Sequence, residues 1–152
     1  MKLGEALTLR KDAGNRLQRL KERLLISVQV QEGQSPPEDP ARLLGELDSL
    51  LGEWSDLVAR INRTNLATAL GDGRTLTDAL ARRDALAWRQ KTLREIADRA
   101  SQQTPRHLRS ELRMLASVDV AALRAEADRV ARERRELDTA IQEANWLTDL
   151  AD

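Results

Sequence analysis

VAALRAEADRVARERRELDTAIQEANWLT, residues 120–148, is the stretch that decides the fold. Val120, Leu123, Ala127, Val130, Arg134, Leu137, Ile141, Ala144 and Thr148 recur at alternating spacings of three and four. That rhythm puts one mostly apolar stripe along one side of a helix and requires a second helix against it. A second run obeys the same rule: Leu43, Leu47, Leu50, Trp54, Leu57, Ile61, Thr64 and Thr68. Neither helix carries a catalytic signature. The pattern speaks for architecture before chemistry.

Working outward, Leu3, Ala6, Arg10, Ala13, Leu17, Leu20 and Leu24 give a first helix over about 2–26. Residues 26–31, ISVQVQ, alternate with period two and read as a short strand. Residues 31–40 form an extended linker, in which Pro36, Pro37 and Pro40 forbid helix until just after Pro40. The second helix is expected over about 40–70 and the third over 75–101, where Thr75 and Asp78 resemble a capping box. The fourth is expected over 119–150, with Asp119 at its N-cap. Residues 106–118 fit either a helix or one face of a strand. A strand over 110–117 would give 26–31 a partner. The tight Gly71–Gly73 connection suggests that the second and third helices are antiparallel neighbours, bringing Asn62 to Asp84, Val58 to Trp88 and Trp54 to Leu93. Pairing of the two strands would then set the end of the first helix beside the start of the fourth, with Arg10 near Glu133–Glu136.

The fold class expected is therefore mainly α: one domain over 1–152, four long helices in two antiparallel pairs of coiled-coil hairpins, and a short two-stranded ribbon. Composition agrees. Apolar residues are 41% of the 152, charged residues 33% and aromatic residues 2%, with three Trp and neither Phe nor Tyr. This is the composition of long helices rather than of a β-sandwich. Net charge is zero, against the basic surface expected of a dedicated nucleic-acid binder. Yet residues 1–27 carry seven basic and three acidic groups, while 28–57 carry one and seven; residues 74–100 carry seven and four, while 117–152 carry five and nine. Alternating signs suit helices that pack on one another or on copies of the chain. No Cys is present, which excludes disulfides and thiolate chemistry. No apolar run reaches the ~20 residues of a membrane span, and no signal peptide opens the chain, so a cytoplasmic protein is expected.

Candidate chemistry is sparse. Arg10, Asn62, Asp84 and the Arg134–Glu136 region fall at similar heights on their helices, and Asn65 extends an inward stripe with Leu44, Leu51 and Val58. A buried polar layer is costly unless each member is paired, and it serves to fix helix register or to hold a small anionic ligand. Carboxylate pairs such as Glu53/Asp56, Glu95/Asp98 and Glu133/Glu136 lean away from the seams, so no metal site and no cofactor is expected. His107, the only histidine, reads as an exposed loop residue, and no phosphate-binding glycine loop occurs. Trp54 lies on a seam. Trp88 and Trp146 lie beside seams and suit a subunit interface.

The opening MKLGEALTLR, the VQEG before the Pro-rich acidic linker, INRTN at 61–65, DGRTLTDALARRD at 72–84 and RELDTAIQEANW at 135–146 together resemble the bacterial septicolysin-like family over nearly the whole chain. That resemblance implies a helical fold and a bacterial cytoplasmic origin, and the family name implies a pore-forming cytolysin. It also marks Asn62, Arg63, Asn65, Arg74, Asp84, Arg135, Asp138, Gln142, Asn145 and Trp146 as recurring motif residues, and so adds Arg63, Arg135 and Asp138 to the candidate layer. Three functions follow as expectations: a non-enzymatic, self-assembling helical scaffold or interaction protein; a binding protein or enzyme for a phosphorylated or nucleotide-like ligand; and a membrane-active cytolysin. A homo-oligomer is expected because thin helical hairpins seldom bury all their seams alone.

Overall fold

The structure is a computed structural model that describes residues 1–102 and 114–152. It contains α1 (Leu3–Ser27), α2 (Pro40–Ala67), α3 (Leu76–Ser101) and α4 (Val120–Leu147). The chain forms two compact units, Met1–Leu76 with Gln142–Asp152, and Thr77–Ile141.

In the first unit α1 and α2 form an antiparallel hairpin. Leu20, Leu24 and Leu43 make its buried cluster, with Leu47 packed against them. Every member of the α2 stripe from Leu43 to Thr68 is buried or half-buried, and Ile61 is 1% exposed. Truncating a fully buried Leu such as Leu43 to Ala costs about 2–5 kcal/mol. Asp39 caps α2 by accepting from Ala41 N–H at 3.0 Å, and Pro40 occupies the first turn, where its missing N–H costs nothing. Charge follows the same pairing: basic α1 meets acidic α2 through Arg23, which donates to Glu38 at 2.5 and 2.8 Å and lies 3.7 Å from Glu46. After Thr68, the connection folds into a tight turn. Leu76 N–H donates to Thr68 O at 2.8 Å, Leu70 N–H to Arg74 O at 2.7 Å, and Gly73 takes the positive φ of 82° that side chains disfavour.

The second unit is the hairpin of α3 with α4. Arg82 bonds Glu133 at 2.7 Å, Arg89 bonds Glu126 at 2.9 Å, and Arg124 approaches Asp98 at 3.8 Å. Rising numbers on α3 meet falling numbers on α4, so the two run antiparallel. The seam on α3 is Leu76, Ala79, Arg83, Leu86, Gln90, Leu93 and Ala97, again at three–four spacing and none of it exposed. On α4, all of the stripe from Val120 to Thr148 is buried or half-buried. Asp119 caps α4 by accepting from Ala122 N–H at 2.9 Å.

Two expectations are corrected. The ribbon does not form in the described residues: Ile26 and Ser27 end α1, Val28 keeps αR dihedrals (φ −89°, ψ −8°), and 29–31 carry no bridge. The helical stripe through Leu20, Leu24 and buried Ser27 outweighs the period-two alternation. Residues 110–113 of the second proposed strand lie outside the described residues, and 114–117 carry no bridge. The expected neighbours also change. Within the two units the seams join α1 with α2 and α3 with α4, and Trp88 is 73% exposed. The start of α1 meets the segment that follows α4: Leu3 N–H donates to Thr148 O and Leu150 N–H to Met1 O, both at 2.9 Å. Arg10 is exposed, and Glu133 is paired with Arg82 and Arg129 instead.

Candidate functional site

Two polar clusters stand out, one in each unit. In the α3/α4 hairpin, Arg83 and Gln90 occupy seam positions on α3, and Arg134 occupies one on α4. Arg134 donates to Gln90 Oε1 at 3.2 Å and lies 3.7 Å from Asp138. Arg83 lies 4.0 Å from the same Asp138 and donates to Asp84 at 2.8 and 3.0 Å. Two cations face two carboxylates, so the cluster is neutral. It is also partly wet: the side chains of Arg134, Asp138 and Arg83 are 42%, 39% and 33% exposed. Fully buried Val130 and Ile141 and nearly buried Leu86 belong to the same seam. Beside it, hydrogen bonding from Arg129, aided by the charges of Arg129 and Arg89, holds Glu126 below the usual carboxylate range.

In the first unit, the cluster is a clasp around residues 148–152. Lys2 pairs with Asp149 at 2.8 Å and donates to Leu147 O at 3.0 Å, and Lys2 and Asp149 form an antiparallel bridge. Lys2's hydrogen bond and charge lower the Asp149 carboxyl. Buried Thr64 is the hinge pin: its hydroxyl donates to Arg60 O at 2.8 Å and accepts from Ala151 N–H at 2.9 Å. Arg60 donates to Ala151 O at 2.9 Å and Arg63 to Asp152 O at 2.8 Å. Leu150 is buried beneath these bonds.

The candidate residues are therefore divided. Arg134, Asp138 and Asp84 come together around Arg83, whose place on the α3 seam the sequence already indicates, with Gln90 as an additional member. Arg63 joins the clasp. Arg10, Asn62 and Arg135 are exposed and Asn65 is half-buried. Arg10 and Asn62 belong to the first unit and Asp84 to the second, and each of the three is exposed. Of the motif residues, Asn145 is buried, Gln142 and Trp146 are exposed, and Arg74 is tied to Asp72 across the turn. Arg60 was not anticipated, although its spacing of three and four from Arg63 and Thr64 puts all three on one helix face.

A shallow groove of about 460 Å³ runs along the α1/α2 hairpin, lined by Arg16, Arg19, Arg23, Glu46, Ser49 and Glu53. Its best-placed cation, Arg23, is engaged with Glu38, whose carboxyl is lowered to about 2, first by the Arg23 hydrogen bond. Among the described residues no group of three or more His, Cys, Asp or Glu side chains is placed to hold a metal ion, and no helix is long and apolar enough to cross a membrane. His107 lies outside the described residues.

Fold and clusters together define a protein of paired helical hairpins, whose polar groups are spent on one another. Residues 10–150 match a family of unknown function, DUF6847, and the chain belongs to that family. It is similar to a functionally unknown conserved protein from Corynebacterium diphtheriae known from a crystal structure: 42% identical, with a TM-score of 0.92 and 99% of each chain covered. No protein of curated function matches.

Proposed function

We propose that this protein is a self-assembling helical scaffold or interaction protein of the bacterial cytoplasm, which works by burying side chains between chains rather than by transforming a substrate. The observation that carries this reading is the apolar surface left after both seams are filled. Trp88 is 73% exposed, Leu25, Ile26 and Val28 are 65%, 67% and 58% exposed at the end of α1, and Leu44 and Leu51 lie half-exposed, seven residues apart, on α2. Scattered exposed apolar residues are ordinary, but stripes at heptad spacing are the surfaces that helices use on one another. The polar groups support the same reading. Arg134 and Arg83 are balanced by Asp138 and Asp84, and Gln90 accepts from Arg134, which suits fixing the register of α3 on α4 better than attracting an anion.

Sedimentation velocity from micromolar to near-millimolar chain tests it. A species larger than the monomer is expected, and a monomer throughout the range would end the scaffold reading. Thermal shift with nucleotides, inorganic phosphate and divalent cations is expected to leave the melting temperature unchanged. A saturable rise with any of them would favour the ligand-binding reading, and leakage of dye-loaded vesicles would favour the cytolysin reading.

A further inference from the structure

The turn between α2 and α3 contains Gly71, Asp72, Gly73 and Arg74, all four exposed. An aspartate followed by glycine can isomerise without an enzyme. The Gly73 nitrogen attacks the Asp72 side-chain carbon Cγ, and the new C–N bond closes a five-membered succinimide. The carboxyl hydroxyl leaves with the amide proton as water. Water then reopens the ring at either carbonyl. One opening returns aspartate; the other leaves isoaspartate, with the main chain running through the β-carbon. Two features of this turn favour closure. Gly73 carries no Cβ to shield its nitrogen, and its φ of 82° suits glycine above other residues. Asp72 Oδ1 accepts from Arg74 N–H at 3.1 Å, an Asx turn that curls the carboxyl over the intervening Gly73 amide.

Two other features oppose it. Arg74 Nε donates to Asp72 Oδ2 at 2.7 Å, and Arg74 Nη2 bonds the same oxygen. The Arg74 side-chain hydrogen bonds, then its backbone N–H and its charge, hold the Asp72 carboxyl below the usual carboxylate range. An ionised carboxylate has no hydroxyl to lose as water. The Gly73 N–H, for its part, donates to Leu70 O at 2.9 Å, inside a turn closed by the Leu70–Arg74 backbone bond and the Ala69–Thr75 bridge. We infer that Asp72–Gly73 is a site of spontaneous backbone isomerisation, and that the Arg74 guanidinium, seated on the oxygen that must depart, sets its rate. The chemistry needs no second chain, so it stands apart from the self-assembly proposed above. Its consequence is local. Isoaspartate adds one main-chain carbon between Leu70 and Arg74, which puts their paired backbone groups out of step and loosens the connection from α2 to α3.

The test uses the full chain, incubated warm in heavy-oxygen water and then digested. Each ring opening leaves a heavy oxygen in the peptide that holds residue 72, and chromatography separates its isoaspartyl form. Arg74→Ala is expected to form isoaspartate about tenfold faster than wild type, the change in protonated carboxyl for each pKa unit released. Arg74→Lys should restore part of the protection. Asp72→Glu, whose longer side chain cannot close a five-membered ring, should take up no label by this route. The ratio of Arg74→Ala to wild-type rates should shrink as pH falls through the ordinary carboxyl range, at about 4, where both chains become protonated. Equal rates in wild type and Arg74→Ala at neutral pH would overturn the inference. So would a ratio that is constant with pH, because Arg74 would then only stiffen the turn. If folded Arg74→Ala forms no isoaspartate while the same chain in urea does, the turn itself keeps carbon and nitrogen apart and the site is not there.

Discussion

The Trp146 indole closes over Gly4: a Cβ built on Gly4 would lie 3.1 Å from ring atoms Cδ2 and Cε3 and 3.3 Å from the Asn145 carbonyl. The first turn of α1 is thus pressed against the last turn of α4, and Gly4, though helical, is fully enclosed there. Gly4→Ala is expected to be near neutral, since a helix-propensity gain of up to about 1 kcal/mol offsets the crowding. Gly4→Val adds bulk with nowhere to go and should cost about 1–3 kcal/mol in urea unfolding. Combining it with Trp146→Ala should recover part of that loss, because 57% of Trp146 already faces solvent and its removal opens the space. Simple additivity of the two substitutions would show that ring and glycine are not coupled.

Thr64 ties the C-terminal segment to α2 through one hydroxyl, taking the Ala151 N–H while giving its own proton to Arg60 O. Thr64→Val keeps the shape and removes the acceptor. A donor left unpaired in a partly buried place costs about 1–3 kcal/mol. The expected signature is local: amide exchange at Leu150 and Ala151 should speed up, while the amides of Leu86, Val130 and Ile141 hold. Uniform acceleration throughout both units would mean that the clasp is not a separate opening unit.

Glu38 ties the end of α1 to the start of α2, and its carboxyl is lowered from 4.5 to about 2, chiefly by the Arg23 hydrogen bond and then by Arg23 and Arg42 charge. The folded form therefore holds the proton less tightly than the unfolded chain. The contribution is whole above about pH 4.5 and is lost as pH falls toward 2. Urea unfolding of wild type and Glu38→Gln across that window should show the gap between them narrowing steadily on acidification. A gap that is constant with pH would show that the ion pair is not what Glu38 contributes. Added salt should narrow the gap at neutral pH as well, because the pair is solvated.

How far the residues announced this fold depends on which contacts are local. The stripes from Leu43 to Thr68 and from Val120 to Thr148 were legible because each is written in one helix. So were the starts at Pro40 and Asp119, where a single side chain decides. The α3 seam was not, because Arg83 and Gln90 interrupt its apolar rhythm and Trp88, on the other face, competes as the obvious core residue. Partner choice is harder to read for a related reason. A tight turn such as 71–73 obliges two helices to be close at one end only, whereas a seam needs matching stripes along their length. The clasp was invisible in principle, since Leu3 to Thr148 is a backbone contact across nearly the whole chain and backbone groups carry no residue code.

The register of α4 on α3 gives the last prediction. Arg134, Gln90 and Arg83 interrupt a seam otherwise made of Leu, Ala, Val and Ile, and the 3.2 Å bond of Arg134 to Gln90 is satisfied only when that pair is level. An apolar seam alone would tolerate a slip of one heptad, since each layer would meet another of similar size. Slipping by a heptad would leave Arg134 against Ala97 in one direction and against the like charge of Arg83 in the other, and either is costly for a half-buried charge. Replacing both residues by Leu should therefore raise stability by about 1 kcal/mol, as when other polar pairs yield to packing. The same change should remove the penalty on slipped pairings, visible as doubled backbone amide resonances for Leu86, Leu93, Val130 and Leu137. A double variant that is less stable than wild type would overturn this account, and one that is more stable with a single set of resonances would show that register is held elsewhere, with the Arg82–Glu133 and Arg89–Glu126 bridges as the remaining candidates.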